Sequence, residues 1–128
     1  AACHWVMFSR RFHNCTEFVR ASTFAASSRY DQETRKRWYG AHALVLDDLG
    51  VEKPTEYTCT RLLQLLERRH QVGHPTIITS NLGLDALGQR LGDDRIPSRL
   101  ADWADLAIVR ATDYRLERAS ARAKRTRC

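Results

Sequence analysis

Two adjacent acids, Asp47 and Asp48, follow the unbroken apolar run Ala43-Leu44-Val45-Leu46 and precede Leu49-Gly50. Such a run is too short for a helix and suits a strand buried on both faces. Ligands of parallel α/β sheets bind where loops open a crevice at the carboxyl ends of the strands. Of two acids at that edge, the first can help hold Mg2+, usually through its waters, and the second can polarise an attacking water. That is the chemistry of nucleotide hydrolysis. The alternative is that two polar residues merely end a strand and begin a turn.

A second constellation is His70 and His74, at the H-x3-H spacing of a zinc half-site, with Cys59 upstream. A structural zinc site normally takes a second ligand pair. The cysteines Cys3, Cys15, Cys59 and Cys128 supply no C-x2-4-C, and His74 precedes Pro75 in an evident turn. The ligand count therefore speaks against a metal here. The scattered cysteines also suggest no disulfide framework, which makes a reducing cytosol the default.

The elements that must position the acids alternate along the chain. WVMF (5–8) is a short apolar run, followed by an expected helix over 14–26 with Phe18 and Val19 inward. A charged surface helix is expected over 31–39, ending before Gly40. After the strand at 43–46, a loop leads to Thr55, which can cap the helix that follows. In that helix Cys59, Leu62, Leu63 and Leu66 keep the i, i+3, i+4, i+7 spacing of an apolar face, and Gly73 supplies a left-handed stop. TIIT (76–79) is a second buried strand. Leu84, Leu87 and Leu91 mark a short helix stopped by Gly92, and LAIV (106–109) is a final apolar strand. Strands alternating with helices imply a parallel α/β sheet covered on both faces.

The run LVLDDLGVEKPTEY, then a helix, then GHPTIITSNL, then LGDDRIPSRL resembles the DnaC/IstB branch of AAA+ ATPases over roughly residues 44–100. The four blocks keep the family's order and approximate spacing, and KPTEY and TSNL are closer to helicase loaders than to transposition helpers. The resemblance implies a P-loop NTPase fold with a three-layer α/β/α core. It makes Asp47 the Walker B acid associated with Mg2+ and Asp48 the catalytic acid, a position that is Glu in many AAA+ proteins. It makes Asn81 sensor 1, able to contact both the γ-phosphate and the attacking water. Read by itself, Asn81 is equally a turn residue tolerant of a left-handed conformation. Arg95 and Arg99 lie four apart, on one face of any helix there. By resemblance Arg99 is an arginine finger reaching a neighbouring subunit's ATP, with Arg95 in support. The alternative is pairing with Asp94 or Asp102. Arg115 in DYRLERA matches sensor 2 only loosely.

One part of the pattern is missing. The family's phosphate-binding loop, G-x-x-x-x-G-K-[ST], holds phosphates with its backbone N–H groups and lysine. None of the six glycines is followed by lysine. WVMF reads as the second strand, so the first strand, the P-loop and the first helix are expected to be missing ahead of it. The chain also begins with Ala1 rather than Met, which fits a fragment or a trimmed start. Removing the central first strand is expected to leave 76–79 and 106–109 each without a neighbour, unless the final strand closes the gap. A marginal or rearranged domain follows, and without a phosphate cradle the isolated chain is not expected to hydrolyse ATP.

At 128 residues the chain is one domain or part of one, read as a partial AAA+ core over 1–117 and a basic tail over 118–128. No apolar run is long enough to cross a bilayer, and the first residues lack the pattern of a signal peptide. The net charge of +6 is concentrated at the end, where Arg115, Arg118, Arg122, Lys124, Arg125 and Arg127 face a single Glu117. That segment could attract a phosphate backbone, or be simply a solvated tail. The resemblance adds ATP and Mg2+ as cofactors. Its partners would be single-stranded DNA, a replicative helicase and further copies of the chain, in the cytoplasm of a bacterial or phage-infected cell. A degenerate, non-catalytic AAA+ module and an IstB-like transposition helper are the alternatives.

Overall fold

The computed structural model describes residues 16–26, 32–51 and 53–110, and the backbone alone of residues 3–6. Five strands form one sheet: β1 (Cys3–Val6), β2 (Thr16–Arg20), β3 (Ala43–Asp47), β4 (Thr76–Ser80) and β5 (Leu106–Ile108). The helices are α1 (Ala21–Ala26), α2 (Gln32–Gly40), α3 (Glu56–Gln71), α4 (Leu84–Leu91) and α5 (Arg95–Trp103). The spatial order is β2-β3-β4-β1-β5, with β2, β3 and β4 parallel. This is the expected α/β architecture with a parallel sheet.

Two expectations at the amino-terminal end are corrected. The second strand is Thr16–Arg20 rather than WVMF, so the helix expected over 14–26 begins only at Ala21. Pairing decides this locally, because Thr16 to Arg20 run in register beside Ala43 to Asp47. The adjacent apolar pair Phe18-Val19, expected inward together, is split between the two faces: Phe18 is 63% exposed and Val19 4%. The second correction concerns the gap between β4 and β5. Neither bare edges nor closure by the final strand is found. Cys3–Val6 lies between them, antiparallel to both.

The core sits on one face of the sheet. Val19, Leu44, Leu46 and Ile78 join Leu62, Leu65 and Leu66 of α3, Trp38 of α2, Leu87 and Leu91 of α4, and Ile96 and Leu100 of α5 in a single cluster. Phe18, Val45 and Ile77 stand in register on the other face. Of the two helical layers expected, the described residues supply the one over Leu44 and Leu46.

The helix ends follow local chemistry. Thr55 caps α3 by accepting the Thr58 backbone N–H at 3.2 Å. Thr55→Ala is expected to cost about 1 kcal/mol, read as a lower urea midpoint with unchanged slope. Gly73 and Gly92 both adopt positive φ where the helical patterns stop. Two arginines of α3, Arg61 and Arg69, are buried alongside its leucines. Among the described residues no helix is long and apolar enough to cross a membrane.

Candidate functional site at the carboxyl ends of the strands

Asp47 is the last residue of β3 and lies beside Thr79 of the adjacent parallel strand. The Thr79 hydroxyl donates to Asp47 Oδ1 at 2.5 Å and accepts the Asp48 backbone N–H at 3.0 Å. One hydroxyl thus orients the first carboxylate and fixes the turn that carries the second. Asp48 itself sits at φ 59°, the one non-glycine among the described residues with positive φ. Aspartate tolerates this left-handed region better than most residues.

Further bonds lace the β3–α3 and β4–α4 loops together. Leu49 N–H donates to the Thr79 carbonyl at 2.9 Å, and the Ser80 hydroxyl donates to the Leu49 carbonyl at 2.6 Å. Ser80 Oγ also accepts Leu82 N–H at 3.1 Å. From α4, Arg90 donates to the carbonyls of Gly50 and Val51 at 3.2 and 2.6 Å. Asn81 directly follows Ser80 and is exposed at the same edge. Neither the Asp48 carboxylate nor the Asn81 amide is bonded to another described residue. Asp47, Asp48 and Asn81 are therefore brought to one edge of the sheet, on adjacent strands.

Sequence reasoning missed Thr79, Ser80 and Arg90. The available signal was a pair of hydroxyl residues ending an apolar strand beside the acid-tipped one. Thr79→Val is expected to cost about 1–3 kcal/mol, because it strips an acceptor from Asp48 N–H and a donor from Asp47. The measurement is a urea midpoint, with the Asp48 amide exchanging faster than in the parent chain.

The arginines behave differently. Arg95 opens α5 and holds Asp93 through its backbone N–H and guanidinium at 2.7 to 3.1 Å. Those bonds keep the Asp93 carboxyl below its ordinary pKa. Arg99 lies 3.4 Å from Glu67 of α3, with its guanidinium 5.2 Å from the Trp103 ring centroid. Trp103 in turn stacks on His70, centroids 4.1 Å apart and planes within 6°. The partners are thus Asp93 and Glu67, not Asp94 or Asp102. Neither arginine bonds to Asp47, Asp48 or Asn81. His74 rests 6.0 Å from the His42 ring, away from His70's stack. Arg115 and the basic tail lie outside the described residues.

Asp47, Asp48 and Thr79 present hard oxygen atoms, the donor type Mg2+ prefers. That ion usually keeps several waters and takes one or two protein carboxylates plus substrate phosphates. The donor set fits that partial role. No group of three or more His, Cys, Asp or Glu able to form an all-protein cage occurs among the described residues.

No protein-family model matches the chain, and no curated protein matches it. Among solved structures, AMPPCP-bound DnaA from Aquifex aeolicus is similar at a TM-score of 0.66 and 19% identity, over 87% of this chain. The likeness is one of fold, a partial α/β core of the kind that structure contains. The chain spans only 36% of the length of that DnaA structure.

In AAA+ terms, β1 occupies the central place of the first strand, between the strand leading to Asn81 and the last strand. Its direction is reversed. Cys3 pairs with Ser80 and Val6 with Ile77, so the chain leaves β1 at the edge opposite Asp47 and Asn81. The loop after an AAA+ first strand cradles phosphate only if it emerges beside the Walker B acid.

Proposed function

We propose that the chain is the hydrolytic half of an AAA+ ATPase site, of the DnaC-like helicase-loader type acting in DNA replication. ATP is the nucleotide. Asp47 associates with Mg2+ largely through water, Asp48 polarises the attacking water, and Asn81 contacts the γ-phosphate. When bound, Mg2+ would neutralise charge developing on the transferred phosphoryl. Arg99 serves a neighbouring copy's nucleotide, with Arg95 in support.

One observation carries the reading: Asp48 and Asn81, whose side chains bond to no other described residue, share the strand edge with a carboxylate oriented by Thr79. The AMPPCP held by the DnaA of similar fold, an ATP analogue, adds to it. The reading predicts weak association of Mg-ATP with the chain alone, since no loop cradles its phosphates. In the presence of ATP, Mn2+ should broaden the NMR signals of Asp47, Asp48 and Asn81, and Asp47→Asn should abolish that broadening. Broadening centred elsewhere, or micromolar affinity by calorimetry, would overturn this arrangement.

A second reading, a non-catalytic AAA+ module, is favoured by the reversed β1 and by Arg99 being held on Glu67 and Trp103. It predicts no Mn2+ effect at the strand edge at all.

A further inference from the structure

At the edge of the sheet opposite Asp47, two histidines from different loops meet. His42 directly precedes β3 and His74 lies just ahead of β4. Their ring centroids are 6.0 Å apart, with the planes tilted by 42°. Spacing along the chain pairs His74 with His70, but the structure gives His70 to Trp103 and brings His74 to His42. No hydrogen bond joins the two rings, and His74 Nδ1 is shut away from solvent with no partner among the described residues. A buried ring nitrogen is normally paired, with another polar group or with a metal.

The backbone that carries each ring is fixed. One guanidinium, that of Arg69, donates to the carbonyl of Ala41 directly before His42 and to that of Pro75 directly after His74, at 2.8 Å each. The His74 N–H donates to the Arg69 carbonyl at 2.9 Å. The two loops are therefore held at one spacing, as a site built on a supporting layer requires. Both rings also follow the carboxyl ends of helices, since α2 ends at Gly40 and α3 at Gln71. The macrodipole is negative at those ends and favours a cation. The Arg69 charge opposes one, and the oxygens that its fork occupies partly screen it.

Neutral imidazole nitrogens suit Zn2+, whereas Mg2+ prefers oxygen. An anion would meet the negative ends of both helices. Zn–N bonds of about 2.1 Å at a tetrahedral angle place two ring centroids about 5 Å apart. Closing the present 6.0 Å takes a turn of about 1 Å by His42, which is exposed in the short link between α2 and β3. We propose that His42 and His74 together bind a divalent transition-metal ion of the Zn2+ kind. No third His, Cys, Asp or Glu joins them among the described residues, so water completes the coordination and the ion exchanges readily. The site lies at the edge opposite Asp47, Asp48 and Asn81, and the inference does not depend on ATP or Mg2+ binding there.

The test is a titration of the full, reduced chain with ZnCl2 at neutral pH, without nucleotide, followed by NMR of the histidine side chains. The imidazole nitrogens of His42 and His74 should shift together and saturate with one ion, while MgCl2 moves neither. His42→Asn and His74→Asn should each weaken binding about ten-fold or more and remove the response of the ring that remains. His70→Asn should leave the response unchanged. Zn2+ should also raise the urea midpoint of the parent chain but not that of His42→Asn. Because His42 is exposed, its variant decides the matter even where His74→Asn disturbs the loop. Shifts confined to the surroundings of the cysteines would overturn the proposal. So would a His74 response that survives His42→Asn undiminished, since that makes each ring a separate, incidental ligand.

Discussion

Replacing Arg69 by methionine is expected to destabilise the fold by about 3 kcal/mol, the resultant of lost hydrogen bonds and recovered desolvation. Arg69 is fully buried. Its Nε donates to Thr76 Oγ1 at 2.9 Å, its Nη1 to the carbonyls of Trp38 and Ala41 at 2.8 Å each, and its Nη2 to the Pro75 carbonyl at 2.8 Å. One planar fork thus ties the carboxyl end of α2 and the entry to β4 to the last turn of α3. Methionine keeps the apolar stem but strips a donor from all four acceptors; Pro75 still accepts the Leu44 N–H at 3.1 Å, and each acceptor left dry can cost about 1–3 kcal/mol. The opposing effect is that a buried cation no longer has to be desolvated. Burial draws the Arg69 pKa down to about 10, leaving it charged at neutral pH. Urea unfolding measures the difference. Lysine should recover little, since one ammonium cannot reach three directions in the plane of a guanidinium. A loss below about 1 kcal/mol would mean that water reaches these carbonyls once the fork is gone.

Gly50→Ala is expected to cost about 2–4 kcal/mol, from left-handed strain plus overpacking. Gly50 sits at φ 91°, and a Cβ there would stand 2.9 Å from both Leu82 Cδ1 and Leu87 Cδ1. Its carbonyl also accepts from Arg90, so the loop cannot shift without breaking that bond. Gly73→Ala is the control: its φ of 71° is also positive, but nothing lies within 4 Å of the added carbon. It should lose only about 1 kcal/mol. The difference between the two variants in urea isolates the clash. Equal losses would show that Leu82 and Leu87 move aside freely. Because Gly50 follows Asp48 by two residues, the Asp48 and Asn81 amide shifts should move in Gly50→Ala and stay fixed in Gly73→Ala.

Much of the fold was legible because its signals are local. Ala43 to Leu46 has no polar interruption, Thr55 precedes a helix whose leucines repeat on one face, and Gly73 and Gly92 fall where the patterns stop. The amino-terminal third was misread for the opposite reason. TEFVR shows no apolar alternation, since Phe18 faces outward and Glu17 ties to Arg37 of α2 at 3.0 Å. Its strand is made by pairing with β3, a contact no local pattern announces. The direction of a four-residue strand is likewise not written in its composition. Arg69 did carry a signal: it lies seven residues after Leu62, on the apolar stripe, where a cation demands buried acceptors. At the site, the acids and Asn81 stood out as polar ends of apolar strands. Thr79, which joins them, looked like an ordinary strand residue.

The reversed β1 has a wider meaning for how such a core can be completed. A strand of either polarity satisfies the hydrogen-bonding groups along one side of β4, so sheet continuity imposes no direction on its occupant. Catalysis does, because polarity decides at which end the next loop emerges. Cys3–Val6 fills that slot, and its direction takes the chain out at the edge opposite Asp47 and Asn81. A parallel strand bringing its own phosphate loop could not simply add to this sheet. It would have to displace the resident strand, exchanging one full set of backbone bonds for another at little net gain. Filling the slot beside β4 and presenting a loop at the edge of Asp47 and Asn81 are thus separate requirements, and β1 meets the first.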